Sequence, residues 1–142
     1  NYIMTSYSKK YLPKSLSRKD KIKQKRELNK SRRNYKTKRG KKKYHSRPKL
    51  KSYKNRSSSW TQKFHKLYPD AKTYPQISKV TGIPEKALKE VVRKGKGAYY
   101  SSGSRPNQTA ESWGKARMYS YILGGPTRKI DHHITKKYNV KF

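Results

Sequence analysis

The side chains that could take part in metal chemistry or catalysis are few in this sequence and lie far apart. The densest group is Asp131, His132 and His133, near the carboxyl-terminal end. Adjacent residues of an α-helix point about 100° apart, so the two imidazoles cannot easily bind one ion. The chain also contains no cysteine, which removes the thiolate ligands of structural zinc sites. We therefore expect no metal site.

No pattern for nucleotide binding or nucleophilic catalysis is present either. The Gly-Lys-Gly sequence at 95–97 lacks both the spacing and the preceding strand of a phosphate-binding P-loop. The serines at 101, 102 and 104 have no evident His–Asp partners, and the seven acidic residues are scattered singly. Acid–base catalysis and magnesium binding both need carboxylates placed together. The sequence predicts a protein that is not an enzyme and needs no cofactor.

Positive charge is the strongest property of the chain. Its 142 residues include 40 Lys and Arg against 7 Asp and Glu, a net charge of +33, and only 30% are hydrophobic. Such a chain cannot bury enough apolar surface along its whole length to offset the entropy lost on ordering. We expect it to need a negatively charged partner or a large assembly. No apolar run approaches the roughly 18 residues that predict a membrane span, so we expect none, leaving open a peripheral contact with an inner membrane.

The charge is unevenly distributed and divides the chain into two parts. Residues 1–66 carry 25 Lys and Arg against 2 acidic residues, a net charge of +23. Residues 67–142 carry 15 against 5, a net charge of +10. We interpret 1–66 as a long, extended, highly basic arm and 67–142 as a small helical domain. The predicted fold class is mainly α.

One helix is predicted within the arm. Ser17 followed by Asp20 is a capping-box pattern, and good helix formers continue over 17–33. Ile22 and Leu28 are too few to form a core-facing stripe, so we expect this helix to lie against a partner. A glycine and a proline interrupt the rest of the arm, which we expect to be extended.

Aromatic and arginine side chains recur through the arm as candidate contact points. Those we single out are Tyr35, Tyr44, Tyr53, Trp60, Arg32, Arg33 and Arg47. Rings set among cations could stack on unpaired bases while the cations meet phosphates, as in single-strand-binding proteins. Aromatic residues and arginine are also enriched at protein interfaces, where they anchor in pockets of a partner. The sequence leaves both interpretations open.

The second part contains a predicted pair of helices at 75–94. Pro75 and Pro84 stand at plausible first positions of the two helices, and Gly82 and Gly95 at their ends. Two helices joined by a glycine-containing turn fit a DNA-reading helix-turn-helix. They equally fit a plain helical hairpin.

Further helices follow, and together they predict a thin helical core. Thr109 is a good N-cap for a helix that ends at the glycines at 124 and 125, and Thr127 for a last one. The side chains we expect in this core are Ile77, Val80, Leu88, Val91, Trp113, Ile122, Leu123, Ile130 and Ile134.

Two stretches of the chain resemble proteins of large nucleocytoplasmic DNA viruses, the giant viruses. "YLPKSLSRKDKIKQKRELNKSRRNY" followed by "RPKLKSYKNRSSSW" resembles the arm of small basic virion proteins of this group. "TGIPEKALKEVVRKGKGAYYSSGSRPNQTAESWGKARMYSYILGG" resembles a second module that these viruses carry, and its "GKGAYYSSGSRP" and following "W-G-x-A-R" are the more specific part. The resemblance covers about residues 11–60 and 80–135. It implies a minor capsid protein and carries over no functional residues.

The resemblance suggests a role for residues 95–109, which we expect to form a docking loop. Its glycines allow sharp turns. Tyr99, Tyr100 and Arg105 would be contact groups, with one tyrosine ring pointing inward and the other outward, and Trp113 would support the loop. The alternative is that both rings complete the core.

The leading hypothesis is a minor capsid protein that cements major capsid proteins from the inner side of an icosahedral shell. Its partners would be the major and other minor capsid proteins and, through the arm, genomic double-stranded DNA. It would lie in the virion, and in the host cytoplasm or virus factory during assembly. The alternative is a nucleic-acid-binding protein that condenses or packages the viral genome without sequence specificity. A ribosomal protein is a third, weaker interpretation.

Overall fold

A computed structural model describes residues 7–37 and 46–142, and these residues form helices joined by turns and irregular segments, with no strand. This confirms the predicted mainly-α class. The helices are α1 (Arg18–Thr37), α2 (Ser59–Leu67), α3 (Tyr74–Thr81), α4 (Glu85–Ser101), α5 (Ala110–Ile122), α6 (Thr127–Ile130) and α7 (His132–Lys137).

The chain forms two compact units, neither of which is continuous in sequence. Unit 1 combines Asn1–Asn55 with Ala98–Thr109, and unit 2 combines Arg56–Gly97 with Ala110–Phe142. The predicted division lies at 66/67, within α2. Helix α2 belongs to unit 2 because its Phe64 is fully buried and stacks on Tyr119, with ring centroids 4.6 Å apart.

A long extended arm is not supported by the described residues of unit 1. Leu16, Leu28 and Leu50 are 4%, 0% and 2% exposed, so both α1 and the segment after residue 46 bury apolar side chains. Helix α1 forms where it is predicted and continues four residues further, to Thr37. At its first turn the backbone N–H of Asp20 donates to Ser17 Oγ over 3.2 Å, which confirms Ser17 as the N-cap. The reciprocal bond of a capping box is not formed, because the N–H of Ser17 donates to Ser52 Oγ and the carboxylate of Asp20 accepts from Ser52.

Helix α1 has a buried face although it has few aliphatic residues, because polar side chains complete that face. Gln24, Leu28 and Ser31 follow one another at spacings of four and three residues, so they share one side of the helix. They are 3%, 0% and 0% exposed. A count of aliphatic side chains alone therefore underestimates how much of α1 is packed.

The predicted helix pair is present in unit 2, but its second helix is longer than expected. Helix α3 has a proline in its first turn, and Gly82 ends it with a φ of 75°, a left-handed conformation that suits glycine. The predicted end of α4 at Gly95 is wrong, because the helix continues through Gly95 and Gly97 to Ser101.

The helical core of unit 2 contains most of the expected side chains and several others. The prediction that Val80 and Ile130 belong to this core is wrong, since their side chains are 46% and 64% exposed. Helix α6 ends at Ile130 and α7 begins at His132, so Ile130 and Ile134 do not share one helical face. The buried cluster consists of Phe64, Ala71, Ile77, Ile83, Ala87, Leu88, Val91, Val92, Met118, Tyr119, Tyr121, Ile122, Ile134 and Val140.

Candidate nucleic-acid interface

The carboxyl-terminal end of α4 is capped by side chains from elsewhere in unit 1. The last carbonyl groups of a helix have no partner within the helix and form the negative end of its dipole. Ser31 Oγ donates to the carbonyl oxygen of Tyr100 at 2.9 Å. Arg32 Nε donates to that of Ser102, the residue that follows the helix, at 2.8 Å. Two residues of α1 thus hold this helix end, one of them a cation.

Arg47 provides a third contact and is the most enclosed cation of this region. Its Nη2 donates to the carbonyl oxygen of Tyr99 at 3.0 Å and to Ser104 Oγ at 3.1 Å. The guanidinium also lies 3.8 Å from the centroid of the Tyr99 ring, a cation–π contact. Burial lowers the pKa of Arg47 and raises the pKa of the Tyr99 hydroxyl. Nη1 is buried and makes no hydrogen bond within the described residues.

Two amide side chains complete the network around residues 98–109. Gln24 Nε2 donates to the carbonyl oxygens of Tyr11 at 2.9 Å and Ser104 at 3.4 Å. Asn107, whose φ is 61°, accepts from the backbone N–H of Leu50 at 2.6 Å and donates to its carbonyl oxygen at 3.0 Å. The segment predicted to dock on another protein is therefore held by its own chain.

The structure brings three of the four predicted docking residues into unit 1. Tyr99 is 3% exposed, and its hydroxyl donates to the carbonyl oxygen of Gln108 at 3.0 Å. Tyr100 is half-buried and meets Tyr99 edge-on, with centroids 5.0 Å apart. Arg105 is also half-buried, and its charge adds to burial in lowering the pKa of Lys10. Trp113 lies on α5, in unit 2, and is half-buried.

The predicted anchors of the arm lie in different environments in the structure. Arg32 and Arg47 contact the end of α4, as described above. Tyr35 and Tyr53 are half-buried in unit 1, and Trp60 is half-buried against the core of unit 2. Arg33 is exposed on α1, and Tyr44 lies outside the described residues.

The exposed side of α1 carries a row of cations, which we call the basic face of α1. Its residues are Lys19, Lys23, Arg26, Lys30 and Arg33, and all five are exposed. Their spacings of four, three, four and three residues place them on one side of the helix. At 1.5 Å per residue the row is about 21 Å long. Within the described residues none of the five forms an ion pair.

The two carboxylates of α1 leave this row uninterrupted. Asp20 accepts hydrogen bonds from the backbone N–H of Ser52, at 3.0 Å, and from its hydroxyl. These bonds are the main reason that the pKa of Asp20 is lowered, and Lys23 and Lys19 add to the effect. Glu27 is half-buried and lies between the buried and basic faces in helical register.

Sequence reasoning missed the basic face because it tested α1 for apolar periodicity only. The same test applied to Lys and Arg finds the five positions, together with a second row at 18, 21, 25, 32 and 36 in which three side chains are half-buried. It also missed Gln24, Ser31 and Asn107, whose roles depend on partners distant in sequence. No short-range pattern identifies those residues.

Residues 8–138 match a family described as a family of unknown function (DUF5824), so the chain belongs to that family. No curated protein and no solved structure matches it. Within residues 7–37 and 46–142, three or more His, Asp or Glu side chains do not come together in an arrangement that could hold a metal ion. No helix in the described part of the chain is both long and apolar enough to span a membrane.

Proposed function

We propose that this protein binds nucleic acid, without sequence specificity, through the basic face of α1. The observation that carries the proposal is the row of five exposed cations on one side of a single helix. The packing of the described residues of unit 1 does not bury these five side chains, since the buried face of α1 uses Gln24, Leu28 and Ser31.

Binding of this kind is driven by phosphate contacts. Each Lys or Arg that meets a phosphate releases condensed counterions, so affinity falls steeply as salt is added. Arginine can contact phosphate oxygens through two N–H groups, whereas lysine acts as a point charge. Phosphate contacts position a protein on nucleic acid but carry no direct sequence information. The basic face therefore fits packaging or condensation better than recognition of one site.

The test compares two variants that have the same charge. In the first, the basic face is neutralised by Lys19→Gln, Lys23→Gln, Arg26→Gln, Lys30→Gln and Arg33→Gln. In the second, five exposed cations of unit 2 are neutralised by Lys72→Gln, Lys86→Gln, Lys94→Gln, Lys129→Gln and Lys141→Gln. Each variant has a net charge of 33 minus 5, that is +28. Glutamine is nearly as good a helix former as lysine and arginine.

We expect the first variant to lose far more affinity for a fluorescent DNA duplex than the second. Fluorescence anisotropy across a salt series measures both the dissociation constant and its salt dependence. Equal losses in the two variants would mean that overall charge, rather than this face, binds nucleic acid. Such a result would contradict the proposal.

A second candidate function, the minor capsid protein, is favoured by the resemblance of "GKGAYYSSGSRP" and "W-G-x-A-R" to a module of giant viruses. It ranks second here because Tyr99, Arg32 and Arg47, which this role would use as contact groups, make contacts within unit 1. In this role the protein would lie on the inner side of the shell, bound to major capsid protein.

Fractionation of virus particles separates the two functions. Particles are opened, treated with nuclease and washed at high salt, and the chain is quantified by mass spectrometry. Release with the genome would support nucleic-acid binding. Retention with empty shells, at a fixed ratio to the major capsid protein, would support the capsid role and contradict our first proposal.

A further inference from the structure

We infer that the basic face of α1 takes double-stranded nucleic acid, bound along its phosphate backbone without stacking of bases. The inference rests on the proposed function and makes it more specific. Three features of the described residues carry it: the placement of the aromatic rings, the linear density of charge and the rigidity of the helix.

In the described residues, the aromatic rings do not form an exposed stacking platform. Proteins that bind single strands place exposed aromatic side chains along a basic groove, and each base stacks on one of them. In residues 7–37 and 46–142, every Tyr and Trp is buried or half-buried. The exposed aromatic of this part is Phe142, which lies against Tyr121, with centroids 5.3 Å apart, and under the Arg128 guanidinium, 3.5 Å from its ring.

Two aromatic residues on or near α1 in the described part of the chain are also poorly placed for stacking on bases. Tyr35, the aromatic residue of α1, follows Gln24, Leu28 and Ser31 at the same spacing and so lies on the opposite, packed side. Tyr7 lies near the basic face, but the guanidinium of Arg32 covers its ring at 4.3 Å from the centroid. Among the described residues, the cations of this face therefore have no fully exposed Tyr or Trp ring beside them.

The density of charge favours a duplex. A duplex carries one phosphate charge per about 1.7 Å of its axis, and a single strand one per about 3.4 Å. A row about 21 Å long therefore passes about 12 charges of a duplex but only about 6 of a single strand. Since the described residues offer no exposed Tyr or Trp platform to add affinity for single strands, we expect this electrostatic difference to decide the preference.

The rigidity of α1 also favours a duplex over a single strand. The five cations are fixed along a straight helix whose opposite face is packed, so the row cannot bend to follow a flexible strand. Duplex DNA is stiff, with a persistence length of about 150 base pairs, so the positions of its phosphates are already fixed. A single strand would lose conformational entropy on lying along the row.

The experiment measures dissociation constants for a DNA duplex and for one of its strands, compared at equal phosphate concentration. Wild-type protein, the basic-face variant and the matched unit 2 variant are each titrated at several salt concentrations. We expect wild-type protein to bind the duplex about tenfold more tightly than the strand at about 0.1 M salt, since five contacts with salt slopes of about 0.9 each on a duplex and 0.7 on a strand differ by about one log unit per tenfold change in salt. On the duplex, the basic-face variant should flatten the slope of log affinity against log salt by about 4.5, which is five contacts at 0.9 each.

A separate substitution tests for stacking. Replacing an aromatic residue that stacks on a base lowers affinity by about 5- to 150-fold, corresponding to about 1–3 kcal/mol. We expect Tyr7→Leu to change the affinity for the single strand by less than about twofold, because Tyr7 takes no part in binding bases. A larger loss would overturn the inference.

The outcomes separate failure of the inference from failure of the proposed function. If the basic-face variant binds the duplex as the unit 2 variant does, the proposed function is wrong. If it loses binding, but wild-type protein binds the single strand as tightly as the duplex, only the preference for duplexes is wrong. Circular dichroism and thermal unfolding of each variant distinguish lost binding from unfolding; the side chains replaced in the two charge variants are exposed, and Tyr7 is half-buried.

Discussion

At the scale of single residues, the "W-G-x-A-R" and "SGSRP" motifs have structural roles. Arg117, the last residue of the first motif, binds Asp131 through Nε at 2.8 Å and Nη2 at 2.7 Å, and this carboxylate is only 1% exposed. This two-point geometry supplies hydrogen bonds that replace the water contacts of the buried carboxylate. Ser104, in the second motif, accepts a hydrogen bond from Arg47.

Arg47 should contribute to stability in a way that lysine cannot reproduce. We expect Arg47→Lys to lower the free energy of unfolding by about 2 kcal/mol. Lysine has no planar guanidinium to lie over the Tyr99 ring, and both hydrogen bonds of Arg47 depend on the position of that group, since both come from its Nη2. Chemical denaturation measures the change.

Arg33→Lys is the matched control for this prediction, because Arg33 is exposed. Its effect should stay within about 0.5 kcal/mol. If the two substitutions have equal effects, the contacts of Arg47 with Tyr99 and Ser104 contribute little to stability.

At the scale of elements, two glycines allow α4 and α5 to approach closely within unit 2. A Cβ atom added at Gly95 would lie 2.6 Å from the Cα of Gly114. One added at Gly114 would lie 2.7 Å from the carbonyl oxygen of Val92. Both distances are to backbone atoms, which cannot move aside as a flexible side chain can. Gly95 is therefore a contact point between α4 and α5. It lies inside α4 and not at its end.

We expect Gly114→Ala to destabilise the protein even though alanine favours helix formation. Forcing the backbones apart typically lowers stability by about 1–3 kcal/mol, and the gain in helix propensity is about 1 kcal/mol. The net result should be a lower midpoint of thermal unfolding. Lys94→Ala, at an exposed position of α4, is the control and should leave the midpoint nearly unchanged. A midpoint that rises in Gly114→Ala would contradict the close approach.

The helices also show which structural features local sequence patterns can predict. Prolines and caps predicted where α1, α3, α4 and α5 begin, because these signals are local. They did not predict where α4 ends, since a glycine at a helix crossing and a glycine at a helix end look alike in sequence. The packed face of α1 was missed because Gln24 and Ser31 are polar. Their partners, Ser104 and Tyr100, lie 80 and 69 residues away.

At the scale of the whole molecule, charge and folding oppose each other. A net charge of +33 on 142 residues creates repulsion that favours expansion of the chain. Composition alone therefore predicted that residues before 67 would lack a core. The described residues up to Asn55 nevertheless pack with Ala98–Thr109. Composition misses such packing because it contains no information about which distant segments meet.

This repulsion predicts the response of stability to salt. Raising NaCl from about 0.1 M to 1 M shortens the screening length from about 10 Å to 3 Å. Like charges then repel one another less, so we expect the midpoint of thermal unfolding to rise. The basic-face variant, with a net charge of +28, should show a smaller rise. A fall in the midpoint with salt would indicate instead that ion pairs dominate the electrostatic contribution to stability.

The discontinuous sequence of unit 1 has a consequence for the timing of synthesis on the ribosome. When Asn55 has been added, another 54 residues, 109 minus 55, must follow before Thr109 completes the unit. At about 5–20 residues per second, this interval lasts about 3 to 11 s. During it, the most basic part of the nascent chain emerges beside ribosomal RNA without its intramolecular partners. The order in which the two segments are translated thus determines how long Arg32 and Arg47 can bind external anions, before they donate hydrogen bonds to the carbonyl oxygens at the end of α4.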